Sequence, residues 1–166
     1  FGLYSAMSFT AIILAAGKGT RMNSALPKPL HRVGGHAMLA WSMDAALLAG
    51  AERIVTVLAP GSEDIQDWLD GAPFAIQEDQ LGTGNAVASA REAVGNEDGV
   101  AIVMFADTPL VSAASLKQLA NGVEAGAGIV IAGFRPDDPS GYGRLVEGAD
   151  GTISRIVEDK ECSSAE

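Results

Sequence analysis

The fold is decided by the stretch Ile12-Ile13-Leu14-Ala15-Ala16-Gly17-Lys18-Gly19-Thr20-Arg21-Met22, which continues through Leu26-Pro27-Lys28-Pro29-Leu30. An apolar run ends abruptly in a loop that holds glycines, cations and a hydroxyl. This pattern is typical of a buried strand whose carboxyl end presents backbone amides and positive charge to a phosphate. Glycine suits such a loop because it has no Cβ, so the main chain can approach a ligand closely. We therefore predict an anion-binding loop directly after a central strand.

The charges around this loop are distributed unevenly. The chain holds 21 Asp and Glu against 11 Lys and Arg, yet no acid precedes Asp44. The cations of this acid-free window are Lys18, Arg21, Lys28 and Arg32. The planar guanidinium of Arg21 can bind two phosphate oxygens. Prolines on both sides of Lys28 stiffen the backbone that carries it. The distribution favours a local anion site, and the alternative is an ordinary surface turn with solvated charges.

The loop departs from the two common phosphate-binding motifs. It begins like a dinucleotide fingerprint, but Met22 stands where the third glycine belongs. The Gly-Lys-[Ser/Thr] end of a Walker A loop does not follow at the required spacing. A Rossmann oxidoreductase is therefore the weakest interpretation. Covalent hydrolase chemistry has no support either, because the sequence contains no Gly-x-Ser-x-Gly elbow and its two histidines are isolated.

Composition restricts the class of protein. With 166 residues and 48% hydrophobic side chains, the chain is expected to form one globular domain. A net charge of −10 argues against binding to nucleic acid or to an anionic membrane. No apolar run approaches the ~20 residues that span a bilayer. The single Cys162 predicts a free thiol and a cytoplasmic location. Residues 1–8 are expected to be an added or disordered N-terminal segment, and residues 9–166 the domain.

Apolar runs alternate with helical patterns along the chain. Strands are predicted at residues 11–15, 53–58, 74–77, 100–105 and 129–132, and a C-terminal β-hairpin at residues 143–146 and 153–158. Strands that alternate with helices indicate βαβ units. We therefore predict an α/β fold of the Rossmann-like kind, with a mostly parallel twisted sheet and helices on both faces. Ligands of such sheets bind at the carboxyl ends of the strands.

Helix boundaries can be predicted in several places. The spacing of Met38, Trp41, Ala45 and Leu48 predicts a first helix with these side chains on one face, and Gly50 is placed to end it. Further helices are predicted after Pro60-Gly61-Ser62, from Gly82-Thr83-Gly84, and after an N-cap at Ser112.

Two other segments bring chemistry to the same edge of the predicted sheet. Asp107 directly follows the strand at residues 100–105, and a single carboxylate beside a polyphosphate is typical of a Mg²⁺ site. Its alternative is a turn residue before Thr-Pro. The segment Gln80-Leu81-Gly82-Thr83-Gly84-Asn85 offers backbone amides, a hydroxyl and a side-chain amide to a base or a phosphate. Its alternative is a simple connection between strand and helix.

Taken together, these segments resemble a known family. Leu14 to Met22 with Pro27-Lys28 is similar to the signature of sugar-1-phosphate nucleotidyltransferases. The other segments are Gln80-Leu81-Gly82-Thr83-Gly84, Asp107-Thr108-Pro109-Leu110, Gly141-Tyr142-Gly143-Arg144 and Ile156-Val157-Glu158-Asp159-Lys160. The whole set resembles the uridylyltransferase domain of the bacterial bifunctional N-acetylglucosamine-1-phosphate uridylyltransferase/glucosamine-1-phosphate acetyltransferases. The resemblance extends over nearly the whole chain.

The resemblance implies a role for each matching residue in a nucleotide-diphospho-sugar transferase fold. It implies UTP and N-acetylglucosamine 1-phosphate as substrates, Mg²⁺ as cofactor, and a place in cell-wall precursor synthesis. Arg21 and Lys28 are expected to bind the triphosphate, Asp107 to hold Mg²⁺, and Gly143 and Glu158 to contact the amino sugar. The residues expected to bind the nucleotide are Leu14, Ala15, Ala16, Gly17, Gly19, Gln77, Gln80, Gly82 and Thr83.

The sequence also departs from the family pattern. Phe105-Ala106 replaces the usual Tyr-Gly before the metal-binding Asp, and Asn85 stands where His is frequent. The domain is expected to be incomplete at its C-terminus, without the Asn that serves as second metal ligand. Family members are expected to form homo-oligomers through a further, acetyltransferase domain. Alternatives left open are a nucleotidyltransferase for another phosphorylated acceptor, such as an alcohol phosphate or molybdopterin, and a non-catalytic nucleotide-binding fragment.

Overall fold

Strands and helices alternate along the first 130 residues of the computed structural model, which describes residues 8–17, 19, 22–95 and 99–163. The strands are β1 (Phe9–Leu14), β2 (Arg32–Val33), β3 (His36–Ala37), β4 (Ala51–Leu58), β5 (Phe74–Ile76), β6 (Val100–Phe105), β7 (Arg144–Glu147) and β8 (Ile153–Val157). The helices are α1 (Met38–Ala49), α2 (Glu63–Leu69), α3 (Thr83–Ser89), α4 (Arg91–Val94) and α5 (Ala113–Glu124). The chain divides into an N-terminal unit, residues 1–130, and a C-terminal unit, residues 131–166.

A parallel sheet with strand order β5-β4-β1-β6 forms the centre of the N-terminal unit. Strand β1 is central, and its side chains alternate between two apolar clusters. Ile13 packs with residues of α1, α2 and α5, whereas Ile12 packs with residues of α3 and α4. Helices therefore cover both faces of the sheet. The predicted α/β class with a mostly parallel sheet is confirmed.

The four apolar residues whose spacing predicts α1 do not all lie on its buried face. Met38 and Ala45 are buried, but Trp41 is 37% exposed and Leu48 is 72% exposed. The helix instead buries Leu39, Ala46 and Ala49 against the sheet and α5. Trp41 covers the β2–β3 hairpin, since its indole N–H donates to the Val33 carbonyl at 2.8 Å. The predicted helix end is confirmed, because Gly50 caps α1 with a φ of 107°.

The strand predicted at residues 129–132 is wrong. The described chain has no β-strand there, and the side chain of Ile129 is 81% exposed. An apolar run becomes a strand only when a neighbouring strand satisfies its backbone groups, and none of the described strands pairs with this one. The other predicted strands of the sheet are confirmed with boundaries that differ by at most two residues, and β6 has the predicted boundaries.

The C-terminal unit contains the predicted β-hairpin. Strands β7 and β8 pair antiparallel, with Arg144 opposite Val157. A guanidinium nitrogen of Arg144 lies 3.1 Å from an Asp159 carboxylate oxygen. Side-chain hydrogen bonds lower the pKa of two carboxyls of this unit, that of Asp138 through Ser140 and that of Asp150 through Thr152. These carboxyls stabilise turns. Within the described ranges, no helix is long and apolar enough to cross a membrane.

Candidate functional site

A cleft of about 840 Å³ opens where the strands of the parallel sheet end. The loops that follow β1, β5 and β6 line it. All nine residues predicted to bind the nucleotide lie on this cleft, together with Lys28 and Asp107; they are Leu14, Ala15, Ala16, Gly17, Gly19, Gln77, Gln80, Gly82 and Thr83. The structure thus brings together candidates that are up to 93 residues apart, from Leu14 to Asp107.

Backbone hydrogen bonds beyond the strand ends position the two central loops. The Ala15 N–H donates to the Val57 carbonyl at 2.8 Å, and the Ala106 N–H donates to the Leu14 carbonyl at 3.0 Å. The loop after β1 and the segment before Asp107 therefore leave the sheet side by side. This is the edge at which parallel sheets bind ligands.

Gly17, Gly19, Lys28 and Asp107 form what we call the charged wall of the cleft. Gly19 has a φ of +56°, and a Cβ added there would lie 2.7 Å from the Lys28 Cβ, so the loop passes too close to Lys28 for any other residue. At Gly17 an added Cβ meets no described atom within 4 Å. Gly17 lines the cleft, and a side chain at this position would meet open space among the described residues. Lys18 and the predicted catalytic Arg21 lie outside the described residues.

An ion pair links the two ends of the charged wall. The Lys28 ammonium donates to an Asp107 carboxylate oxygen at 2.5 Å, and the two side chains are 29% and 42% exposed. Lys28 begins a short 3-10 helix, Lys28–Leu30, and stands between Pro27 and Pro29 as expected. Exposed pairs of this kind contribute about 0–1 kcal/mol to stability. A ligand with its own negative charge can therefore compete for Lys28.

The donor set at Asp107 fits a metal ion that arrives with phosphates. No cluster of three or more His, Cys, Asp or Glu that could hold a metal exists among the described residues. Mg²⁺ keeps several waters and is commonly bound by one or two carboxylates plus substrate phosphates. One exposed carboxylate in the charged wall, in a cleft of about 840 Å³ that has room for a nucleotide, meets that requirement.

Gln77, Gln80, Gly82 and Thr83 form what we call the amide wall of the cleft, and Asn85 is hydrogen-bonded to it. The Gln77 side chain is only 5% exposed. Its Nε2 donates to the Gly82 carbonyl at 3.2 Å and to Asn85 Oδ1 at 2.8 Å. The Gln80 Nε2 donates to the Ala16 carbonyl at 3.3 Å, which ties the amide wall to the loop after β1. These bonds make the amide wall a preformed surface.

Sequence reasoning missed several residues of this site. Met22, Pro29, Phe105 and Ala106 also line the cleft. Phe105 and Ala106 depart from the family pattern, and their position directly before Asp107 is the local signal that identifies them as lining residues. The contact of Asn85 with Gln77 has no local signal, since it depends on how α3 packs on β1 and β4.

The predicted sugar contacts Gly143 and Glu158 lie in the C-terminal unit. Arg144 pairs with Val157, so the continued antiparallel register places Gly143 beside Glu158. A Cβ added at Gly143 would lie 3.6 Å from the Val157 carbonyl oxygen. The hairpin therefore brings these two residues together, and their role in sugar binding stays a prediction.

Comparisons with known proteins agree with this geometry. Residues 11–146 match the model of the MobA-like NTP transferase domain family. The bifunctional protein GlmU of Maricaulis maris is 46% identical over 161 residues, which cover 96% of this chain and 36% of that protein. The corresponding protein of Parvibaculum lavamentivorans is 45% identical over 161 residues, covering 94% and 35%. The chain thus spans about 36% of the length of these relatives.

The fold is also similar to solved structures. The crystal structure of Rv0371c from Mycobacterium tuberculosis H37Rv superposes with a TM-score of 0.61 at 24% identity, covering 71% of this chain and 62% of that one. A second structure of Rv0371c, in complex with manganese, has a TM-score of 0.55 at 25% identity and covers 70% and 60%. The resemblance inferred from the sequence motifs is confirmed. The chain belongs to the family of MobA-like NTP transferase domains.

Proposed function

We propose that this chain transfers the uridylyl group of UTP to N-acetylglucosamine 1-phosphate, forming UDP-N-acetylglucosamine and pyrophosphate for cell-wall precursor synthesis. One observation carries the proposal: the nine nucleotide-binding candidates, Lys28 and Asp107 line a single cleft at the carboxyl ends of parallel strands. The similarity to bifunctional GlmU proteins supports the choice of substrates.

The reaction requires little covalent chemistry from the protein. A phosphate oxygen of the sugar 1-phosphate attacks the α-phosphorus of UTP, the bond to the β-phosphate oxygen breaks, and pyrophosphate leaves. Catalysis then depends on alignment of the two substrates and on stabilisation of developing negative charge. In our proposal Lys28 and Arg21 supply the positive charge that stabilises it, and the loop at Gly17 leaves room for the phosphates.

Before a ligand binds, the Lys28 ammonium is paired with the Asp107 carboxylate. When the triphosphate enters, Lys28 exchanges the Asp107 carboxylate for phosphate oxygens, at little cost because the pair is exposed. Asp107 then becomes available to hold Mg²⁺. When bound, Mg²⁺ would neutralise charge on the triphosphate oxygens.

The amide wall recognises the base in this proposal. Gln77 and Gln80 have ordered amides, and Gly82 and Thr83 begin α3 beside them. Hydrogen bonds from fixed, partly buried amides discriminate between bases because a mismatched polar group stays unsatisfied. The same proposal includes three further elements. Gly143 and Glu158 contact the sugar, the protein forms oligomers through another domain, and it is located in the cytoplasm.

Calorimetric titration with UTP, CTP, GTP and NAD, each with and without Mg²⁺, tests nucleotide choice. We expect UTP to bind most tightly and Mg²⁺ to strengthen its binding. Tighter binding of GTP or CTP would favour a transferase for another acceptor, such as molybdopterin or an alcohol phosphate. Tighter binding of NAD than of UTP would contradict the proposed nucleotidyltransferase function.

Pyrophosphate release tests catalysis separately from binding. The chain is incubated with UTP and Mg²⁺, and with N-acetylglucosamine 1-phosphate, glucose 1-phosphate or no acceptor. Release that depends on the acetylated amino sugar supports the proposal. UTP binding without release from any acceptor would support a non-catalytic nucleotide-binding fragment instead.

A further inference from the structure

The Gln77 side chain has an unusual distribution of hydrogen bonds. It is 5% exposed, and both bonds made by its amide are donated from Nε2, to the Gly82 carbonyl and to Asn85 Oδ1. A primary amide has two N–H donors, so this nitrogen has none left. Only the Gln77 oxygen is available to a ligand.

The Gln77 oxygen is not fully buried. Among the described residues, the Thr56 hydroxyl is the one fully buried side-chain polar atom without a partner, and the bonds of the Gln77 amide to those residues are both made by its nitrogen. Gln77 is one of the residues that line the cleft, so the cleft is where a ligand would meet this oxygen.

The orientation of the Gln77 amide is determined by its neighbours. A backbone carbonyl only accepts hydrogen bonds, so the Gly82 oxygen requires the Gln77 nitrogen on its side. Asn85 adds a second acceptor on the same side, at the shorter distance of 2.8 Å. Asn85 is half-buried in the first turn of α3, and its own carbonyl accepts from the Ser89 hydroxyl at 3.0 Å. Turning the amide over would bring three oxygens together.

We propose that Asn85 is a positioning residue that holds the Gln77 oxygen towards the nucleotide and thereby selects a base that donates an N–H at that point. This inference rests on the proposed function. Uracil carries a hydrogen on N3, whereas cytosine carries a lone pair there, which an oxygen repels. The Asn85–Gln77 pair therefore favours UTP over CTP.

The test compares Asn85→Leu with Asn85→Asp. Leucine has a similar size and no acceptor, whereas aspartate keeps the acceptor and suits the first turn of a helix. For Asn85→Leu we expect the Kd of UTP to rise about fivefold, and the ratio of the CTP and UTP dissociation constants to fall by a similar factor. Asn85→Asp retains that ratio. Ser89→Ala, which removes a hydroxyl bonded to the Asn85 carbonyl, is the matched control and leaves the ratio unchanged.

A double-mutant cycle shows whether Asn85 acts through Gln77. In a Gln77→Ala background, Asn85→Leu should have no further effect on the ratio. An undiminished loss in that background would overturn the inference, as would an unchanged ratio in Asn85→Leu alone. Urea unfolding of each variant checks that the fold is retained.

A measurement without nucleotide separates this inference from the proposed function. The side-chain amide resonances of Gln77 in a ¹⁵N spectrum should shift in Asn85→Leu and stay close to those of the original protein in Asn85→Asp. Gln77 amide resonances that do not shift in Asn85→Leu would overturn the positioning role of Asn85. If these resonances respond but the original protein does not prefer UTP, the proposed function fails and base selection fails with it, while the Asn85–Gln77 contact stands.

Discussion

The amide wall and the charged wall of the cleft are stabilised in different ways. Gln77 in the amide wall is 5% exposed, and neutral hydrogen bonds hold it. Lys28 and Asp107 in the charged wall are 29% and 42% exposed, and an ion pair holds them. Leaving a buried amide unsatisfied costs about 1–3 kcal/mol, whereas an exposed ion pair contributes about 0–1 kcal/mol.

This difference separates two tasks. A wall that cannot rearrange cheaply suits discrimination between bases, because its donors and acceptors are set before the ligand arrives. A wall whose charges exchange partners cheaply suits phosphate, which every nucleoside triphosphate carries. Selectivity should therefore reside in the amide wall and affinity for the triphosphate in the charged wall. The following changes test that division.

Lys28→Met should produce the largest effect. Loss of a charge-assisted contact to phosphate should weaken UTP binding by about 1.5–3 kcal/mol, measured by calorimetry. Uridine, which has no phosphates, should bind as before. Equal weakening of both ligands would mean that Lys28 supports the fold of the cleft and that the two walls are not separate in function.

Gly19→Ala should destabilise the charged wall through its backbone. The new Cβ would lie 2.7 Å from the Lys28 Cβ at a φ of +56°. We expect a loss of roughly 1–3 kcal/mol in the free energy of unfolding, measured with urea. Gly17→Ala is the matched control, with a change of less than about 0.5 kcal/mol, because the space around it is open. A similar loss in both variants would contradict the close approach at Gly19.

Gln80→Ala removes a contact between the amide wall and the loop after β1. The Gln80 Nε2 donates to the Ala16 carbonyl at 3.3 Å. UTP and uridine should both bind more weakly, by about 0.5–1.5 kcal/mol, because the contact orders the side of the cleft that we propose binds the base. Weaker binding of UTP alone would mean that Gln80 contacts the phosphates. The two walls would then not differ in the part of the nucleotide that they bind.

Asp107→Asn should have the smallest effect on stability. The free energy of unfolding should change by no more than about 1 kcal/mol, because the ion pair with Lys28 is exposed. The strengthening of UTP binding by Mg²⁺ should nevertheless disappear in calorimetric titrations. A variant that still responds fully to Mg²⁺ would remove Asp107 as the metal ligand.

Several features of this protein follow from local sequence. The apolar run before Gly17 forms the central strand β1, because a continuous apolar run favours a strand that is buried on both faces. Gly50 ends α1, because glycine readily adopts the left-handed conformation of a helix cap. Each signal lies in a few adjacent residues. Ser112 caps α5 as predicted, with its hydroxyl accepting from the Ser115 N–H at 3.1 Å. The order of strands and helices was sufficient to predict a parallel sheet and the edge at which its candidate residues meet.

Other features depend on how distant elements pack. The pairing of Lys28 with Asp107 spans 79 residues, and the contact between Gln77 and Asn85 depends on where α3 packs on β1 and β4. Helix α1 is oriented about its axis so that Trp41 is partly exposed. Packing against the sheet and α5 determines this orientation, and the spacing of the helix's own apolar residues does not. Residues 129–132 have the composition of a strand, but no strand among the described residues pairs with them. Local sequence determines which conformations a segment favours, whereas its partners, and therefore the chemistry of the cleft, are decided only when the tertiary structure brings them together.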